Sequence, residues 1–344
     1  MTETQLLAGI MLVSLMIYVT TGGADFGGGV WDLLASGPRR RRQRAAIEQA
    51  IAPIWEASHV WLILVIVLMF AAFPLAFALI MTALHIPLTL ALGGIVLRGS
   101  SFVFRKYDRD EDRVHRRWSA VFGAASCFTP LMQGIVIGAL GSGAIRIEDR
   151  QVVSDLLTGW TGLFPIACGV FALALFAAVA AAYLSADTAD DPELREDFRR
   201  RALIALALLL PIGAGVHLAA LAEDVYLVQR LQAWWAPALV AVTVLVWCTA
   251  LWALWRRRLS LARFCAPTVA ACVVLGWGLA QYPYVLAREL TFHMAATEAL
   301  VQRFLLIALA LGAVILFPSM IYLLRLFKAG QADEEDDSVR QSSP

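Results

Sequence analysis

Charge is scarce in this chain. Only 16% of its 344 residues are Asp, Glu, Lys or Arg, while 60% are hydrophobic. A soluble domain is about a quarter charged, so a water-soluble globule is excluded. The net charge is +1, which gives no electrostatic basis for nucleic-acid binding. Cysteine is also sparse. Cys127, Cys168, Cys248, Cys265 and Cys272 lie within or at the ends of apolar runs, and no CxxC spacing occurs. They read as small buried hydrophobes, not as a disulfide frame or thiolate metal site. The apolar runs do not alternate with polar residues, which excludes a transmembrane β-barrel. The opening MTETQLLAGIML lacks a basic n-region and a small-residue cleavage site. It therefore reads as a first membrane helix and not as a removable signal.

What is present is a series of long apolar blocks, each about 20 residues and so able to cross a hydrocarbon layer of ~30 Å. Backbone groups in that layer must be satisfied within the segment, so the blocks must be helices. Nine spans are expected, at about 5–34, 51–72, 74–97, 118–140, 161–185, 201–222, 234–255, 262–283 and 301–327. The first is interrupted by Gly22, Gly23, Gly27, Gly28 and Gly29, and a tight turn at Phe73-Pro74 joins the second to the third. Residues 1–330 make one membrane domain. The stretch 331–344 is acidic and Ser-rich, and it reads as a disordered tail.

Arginine and lysine set the orientation. Clusters at Arg39–Arg44, Arg98–Arg117, Arg195–Arg201, Arg256–Arg263 and the C-terminal segment fall on alternate connections. They hold twenty-three of the 28 basic residues. The other side has only Arg146, Arg150, Arg230, Arg288 and Arg303. The N-terminus is thus expected in the periplasm and the C-terminus in the cytoplasm.

Ionisable groups inside membrane helices are costly and mark function or pairing. The first span holds Asp25 and, nearer its cytoplasmic end, Asp32. The second holds Glu56 and His59, whose i, i+3 spacing puts them on one helical face. His85 is expected mid-span, followed by Pro87 as a source of kinking, and His217 near the outer end of the sixth span. Glu56 and His59 admit three readings: a hydrogen-bonded pair tying helices, a proton-conducting pair, or metal or haem ligation. The third needs a second axial residue at matching depth. His59, His85 and His217 stand at different depths, and His115 and His293 fall in loops. The glycine-rich Gly22–Gly29 segment follows no strand, so it reads as a site of close helix contact or of a local break, not as a phosphate cradle. Trp160, Trp234 and Trp235 fall near span ends, as interface anchors do.

Several stretches resemble a known family, subunit II of the cytochrome bd-type quinol oxidases, including its cyanide-insensitive branch. Thr20-Thr21-Gly22-Gly23-Ala24-Asp25-Phe26-Gly27 is similar to that family's Thr-Asp-Gly-Phe-Asp-Leu-Gly segment. Ile51 to Leu62, with Pro53, Trp55, Glu56, His59 and Trp61, is similar to its Ala-Pro-Val-Trp-Asp-Gly-Asn-Glu-Val-Trp-Leu segment. Phe73-Pro74-Leu75, Arg98-Gly99 with Phe102 and Phe104, Gln133-Gly134, Gly159-Trp160-Thr161 and Leu290-Thr291 fit as well. The resemblance covers most of the chain. It implies two four-helix bundles plus one peripheral helix in the bacterial inner membrane. It implies a heterodimer with a subunit I that ligates haem b and haem d, binds quinol and reduces oxygen to water. It assigns no haem to this chain, whose expected part is sealing the haem site and supplying protons or oxygen. It also admits a structural quinone and a small accessory subunit.

The polar positions depart from the family pattern. The first acid of the first motif is Gly22, the second-helix acid is Glu56, the usual Glu or Gln is His59, and the Glu between two phenylalanines is Val103. A divergent branch is therefore expected. The proton-transfer candidates are Glu56, His59 as relay and Asp25 as a structural or uptake group. Pro53, Trp55, Trp61, Pro74, Arg98, Gln133 and Trp160 are the structural motif positions. Two rivals are a secondary transporter, suggested by the glycine-interrupted first span, and a scaffold of another membrane redox complex.

Overall fold

A computed structural model describes residues 2–319 except 52–54, 108–112, 189 and 317; the side chains of 55–57, 105–107 and 113–116 also lie outside the described part. Pro53, the side chains of Trp55 and Glu56, and the tail 331–344 therefore lie outside the described residues.

The chain opens with α1 (Glu3–Leu33), started by a capping box: the Thr2 hydroxyl accepts from the Gln5 N–H at 3.3 Å, and the Gln5 carboxamide accepts from the Thr2 N–H at 3.0 Å. The helix is continuous through Gly22–Gly29, so the expected interruption does not occur. The glycines serve close approach instead. A Cβ on Gly27 would lie 2.0 Å from the Phe176 carbonyl oxygen, and one on Gly29 would lie 2.0 Å from Ser126 Oγ. Sequence could not separate the two uses, because a residue without a Cβ permits both.

The arginine cluster after α1 is not a loop. It folds as α2 (Arg40–Ile51), which buries Gln43, Ile47 and Ile51, presents Arg40, Arg41 and Arg42 outward and turns Arg44 toward Asp32. Next comes α3 (Trp55–Ala72), and then α4 (Pro74–Ala83), with proline at the first helical position where no N–H is needed. The axis bends by 116° between the two. The expected third span thus starts too early: α4 is a separate short helix, and the span proper is α5 (His85–Tyr107). His85 is exposed at the head of α5, not mid-span, and Pro87 sits in the first turn where it breaks no ladder bond.

The remaining helices are α6 (Arg113–Ser142), α7 (Leu163–Asp187), α8 (Pro192–Ala222), α9 (Tyr226–Arg230), α10 (Ala236–Trp255), α11 (Leu259–Gln281), α12 (Phe292–Ala295) and α13 (Ala299–Leu316). His115 and His293, expected in loops, are helical in α6 and α12. Two short hairpins, β1–β2 (Ile147–Glu148 and Gln151–Val152) and β3–β4 (Tyr284–Leu286 and Leu290–Thr291), lie at the arginine-poor end. Among the described residues, eight helices are long and apolar enough to cross a membrane, and the bent α3–α4 pair makes a ninth if it is one span.

Helices α1, α3, α5 and α6 form one group and α7, α8, α10 and α11 a second, with α1 and α6 facing α7 across the seam. An alanine-rich run of α7, Ala177–Ala182, fills that seam, and the Trp31 indole N–H donates to the Ala177 carbonyl at 2.8 Å. α13 hangs on the periphery. Its sole buried residue is Gln302, which accepts from the Thr4 hydroxyl at 2.9 Å, while Arg303 pairs with Glu3 at 3.0 Å.

Candidate functional site

The buried face of α1 follows a three-to-four residue rhythm: Leu7, Met11, Ser14, Tyr18, Gly22, Asp25, Gly29 and Asp32. Tyr18, Asp25 and Asp32 are each seven residues apart, so all three project from one stripe toward the interior. Leu33 ends the helix eight residues beyond Asp25, which puts this acid roughly 12 Å along the axis from the arginine-rich end.

Asp25 is 0% exposed and faces Arg98 of α5, which is 1% exposed. The Arg98 guanidinium donates to the Asp25 carboxylate, to the Asp25 backbone carbonyl at 3.2 Å, and through Nε to the Ser126 hydroxyl at 3.1 Å. Its faces are covered by Phe26 and Phe122, at 4.9 and 5.1 Å from the ring centres. Gly29 is what lets Ser126 approach. An added Cβ there would displace the hydroxyl that holds Arg98. Asp25 Oδ2 has no hydrogen-bond partner among the described residues.

Two further groups join this pair. The His59 ring lies 6.1 Å from the Phe26 ring, and its Nδ1 is 3.2 Å from Ser58 Oγ. Phe26 thus neighbours both His59 and Arg98. One heptad back on α1, the buried Tyr18 phenol accepts from Gln133 Nε2 of α6 at 2.6 Å. Asp32 anchors α2: Arg44 Nη2 donates to the Asp32 carbonyl at 3.3 Å, with Nε 3.8 Å from its carboxylate.

The sequence-based candidates sort as follows. Asp25 and His59 are brought to one region around Phe26, and Arg98 joins them. Arg98 had been grouped with a basic connection. It is instead a buried helical cation, and its removal from that cluster leaves the charge asymmetry between the ends intact. Trp61 packs in a cluster with Tyr18, Phe26 and Phe176. Gln133 holds Tyr18. Pro74 starts α4. Trp160 is half-buried and donates its indole N–H to the Leu156 carbonyl at 2.8 Å, remote from this region. Tyr18, Ser126 and Phe122 were not singled out from sequence. Tyr18 had a signal, its heptad spacing from Asp25. Ser126 and Phe122 had none, since their part depends on where α6 packs.

The histidines stand apart. His85 Nδ1 is 2.9 Å from the Thr82 carbonyl within its own turn, His217 is exposed near the far end of α8, and His293 is exposed on α12. Chemically, the arrangement pairs a carboxylate and a guanidinium in a dry, aromatic-lined interior. An imidazole neighbours the same aromatic lining, in the half of the bundle nearer the arginine-rich connections.

Comparison with known proteins gives consistent results. The profile of the family described as cytochrome bd terminal oxidase subunit II matches residues 3–327. The chain is 24% identical over 348 residues to cytochrome bd-I ubiquinol oxidase subunit 2 of Escherichia coli strain K12, covering 92% of this chain and 90% of that one. It is 31% identical over 119 residues to cytochrome bd ubiquinol oxidase subunit 2 of Bacillus subtilis strain 168, covering 34% and 33%. A chain in the structure of bd oxidase from Geobacillus thermodenitrificans shares the fold at TM-score 0.78 and 22% identity, covering 95% of this chain and 99% of that one.

Proposed function

The chain belongs to the cytochrome bd terminal oxidase subunit II family, and on that premise we propose that it is the haem-free partner of a haem-ligating subunit I in a bacterial inner-membrane quinol:oxygen oxidoreductase. Haem b and haem d, held by subunit I, would supply the electron transfer from quinol to oxygen. This chain packs against that subunit, excludes water from its oxygen site and delivers protons from the cytoplasm. The N-terminus faces the periplasm and the arginine-rich end the cytoplasm, in keeping with the alternation of basic clusters.

One observation carries the proton-supply part of this reading. The Asp25–Arg98 pair and His59 lie in the half of the bundle nearer the arginine-rich end, the side that this reading assigns to proton uptake. Asp25 is committed to Arg98, so it acts as a fixed counter-charge for the path. Glu56, three residues before His59, acts as the exchanging acid with His59 as relay. The transporter alternative loses its motive, because α1 is an unbroken helix.

The assignment is tested by purifying the chain in its native assembly and recording a reduced-minus-oxidised spectrum. Haem b and haem d bands are expected from a co-purifying subunit; a pigment-free assembly overturns the reading. Within the assembled oxidase, Glu56→Gln should slow oxygen consumption about tenfold or more, as loss of a proton donor does, with the haem spectrum unchanged. Wild-type turnover would remove Glu56 from the path.

A further inference from the structure

At the arginine-rich end, an open pocket is lined by Ser36, Gly37, Arg39, Gln43, Asp197, Arg200 and Arg201, among others. Its lining carries three arginines and one aspartate, and one of those arginines, Arg200, also pairs with Glu196 at 3.0 Å. That aspartate is already engaged: Arg39 grips it with two bonds of 2.7 and 2.8 Å, and Gln43 Nε2 donates to it at 3.0 Å. Arg201 is pinned by uncharged groups, and its acidic neighbour Asp197 is already held by Arg39. Its Nη2 donates to the uncharged Gln43 carboxamide at 2.9 Å, and its guanidinium lies over the Trp31 and Phe198 rings at 5.5 and 5.4 Å. Its Nη1 is buried with no hydrogen-bond partner among the described residues. A pre-positioned guanidinium with a vacant donor, next to the Ser36 hydroxyl and to the exposed Arg200, whose Nε is held by Glu196 at 3.0 Å, suits a phosphate oxygen.

The surroundings say which phosphate. On α8, Arg200 is followed by Ile204 and Leu208 at i+4 and i+8, so the three line one helix face. Ile204 is 60% exposed and Leu208 49%. Leu33 and Leu34, just before the pocket residue Ser36 in the chain, are also exposed. A cationic pocket therefore opens at the head of an apolar stripe that runs down the membrane-spanning surface. We propose that this pocket binds the phosphodiester headgroup of an anionic phospholipid, with its acyl chains along Ile204 and Leu208. A soluble phosphate would use the arginines but not the stripe.

The test uses the purified assembly in neutral detergent, stripped of lipid and titrated with phosphatidylglycerol, phosphatidylcholine or inorganic phosphate under native mass spectrometry. Phosphatidylglycerol should bind one site at least tenfold more tightly than phosphatidylcholine, and millimolar inorganic phosphate should not displace it. Arg201→Gln and Arg200→Gln should each weaken that site about tenfold. Arg256→Gln, a surface arginine of the same end outside the pocket, should leave it unchanged. Arg200 is a surface side chain, so its variant decides the matter if Arg201→Gln does not fold. Equal binding of phosphatidylcholine, displacement by phosphate, or an equal loss in Arg256→Gln overturns the proposal.

Discussion

The glycine-and-charge segment of α1 and the outer helices α10 and α13 make an instructive contrast. Every residue from Gly22 to Asp32 of α1 is buried, including two aspartates and five glycines. α13 is almost entirely apolar, yet only Gln302 of it is buried. In water the order would be reversed. In a membrane the solvent is itself apolar, so burying leucine gains little, and helices associate through small residues and satisfied polar groups. Hydropathy therefore reports which segments enter the membrane and says nothing about which of them meet inside it.

The largest expected effect breaks the inner side of that contrast. Arg98→Met leaves the Asp25 carboxylate buried and uncompensated, a loss of about 3–5 kcal/mol. Assembled subunit should fall sharply in membranes, as read by blotting. The double variant Arg98→Met/Asp25→Asn should recover much of it, and failure of that rescue would mean the pair does more than balance charge. Next in size, Gly27→Ala forces a Cβ against the Phe176 carbonyl and should destabilise by about 1–3 kcal/mol. Gly312→Ala on α13 meets nothing within 4 Å and should stay within ~0.5 kcal/mol. Thermal unfolding in detergent separates the two, and equal effects would erase the distinction between the regions.

The smallest effect lies at the surface. Asp191 caps α8, and its hydrogen bond from Arg42 holds its pKa below the ordinary 3.8. A carboxylate with a depressed folded pKa contributes stability above its unfolded pKa and loses it as pH falls through the folded one. Docking of α2 should thus be constant above about pH 4 and loosen below it. Amide exchange over residues 40–51 at pH 3 and pH 6 would show the change, and equal protection at both would contradict it.

The membrane class, the approximate spans and Asp25 were legible in the sequence, because block length and a lone acid in an apolar run are local properties. Arg98 was misread for a physical reason. A cation near the end of an apolar run looks like an interfacial flank until its partner, 73 positions away, is known. α2 was missed because its helical face is short and packs on α1 and α7, so its arginines dominated the reading. The α3–α4 bend was placed correctly at Phe73-Pro74. Its 116° angle was not foreseen, since a proline marks where a helix starts and not which way it then runs.

The fastening of α13 has a consequence for biogenesis. Its links, Arg303 to Glu3 and Gln302 to Thr4, join residues about 300 positions apart. The N-terminal tip of α1 is therefore completed only once α13 has been made. Any surface that needs both helices does not exist on a nascent chain that still lacks α13, so recognition of that surface distinguishes chains that have docked α13 from those that have not.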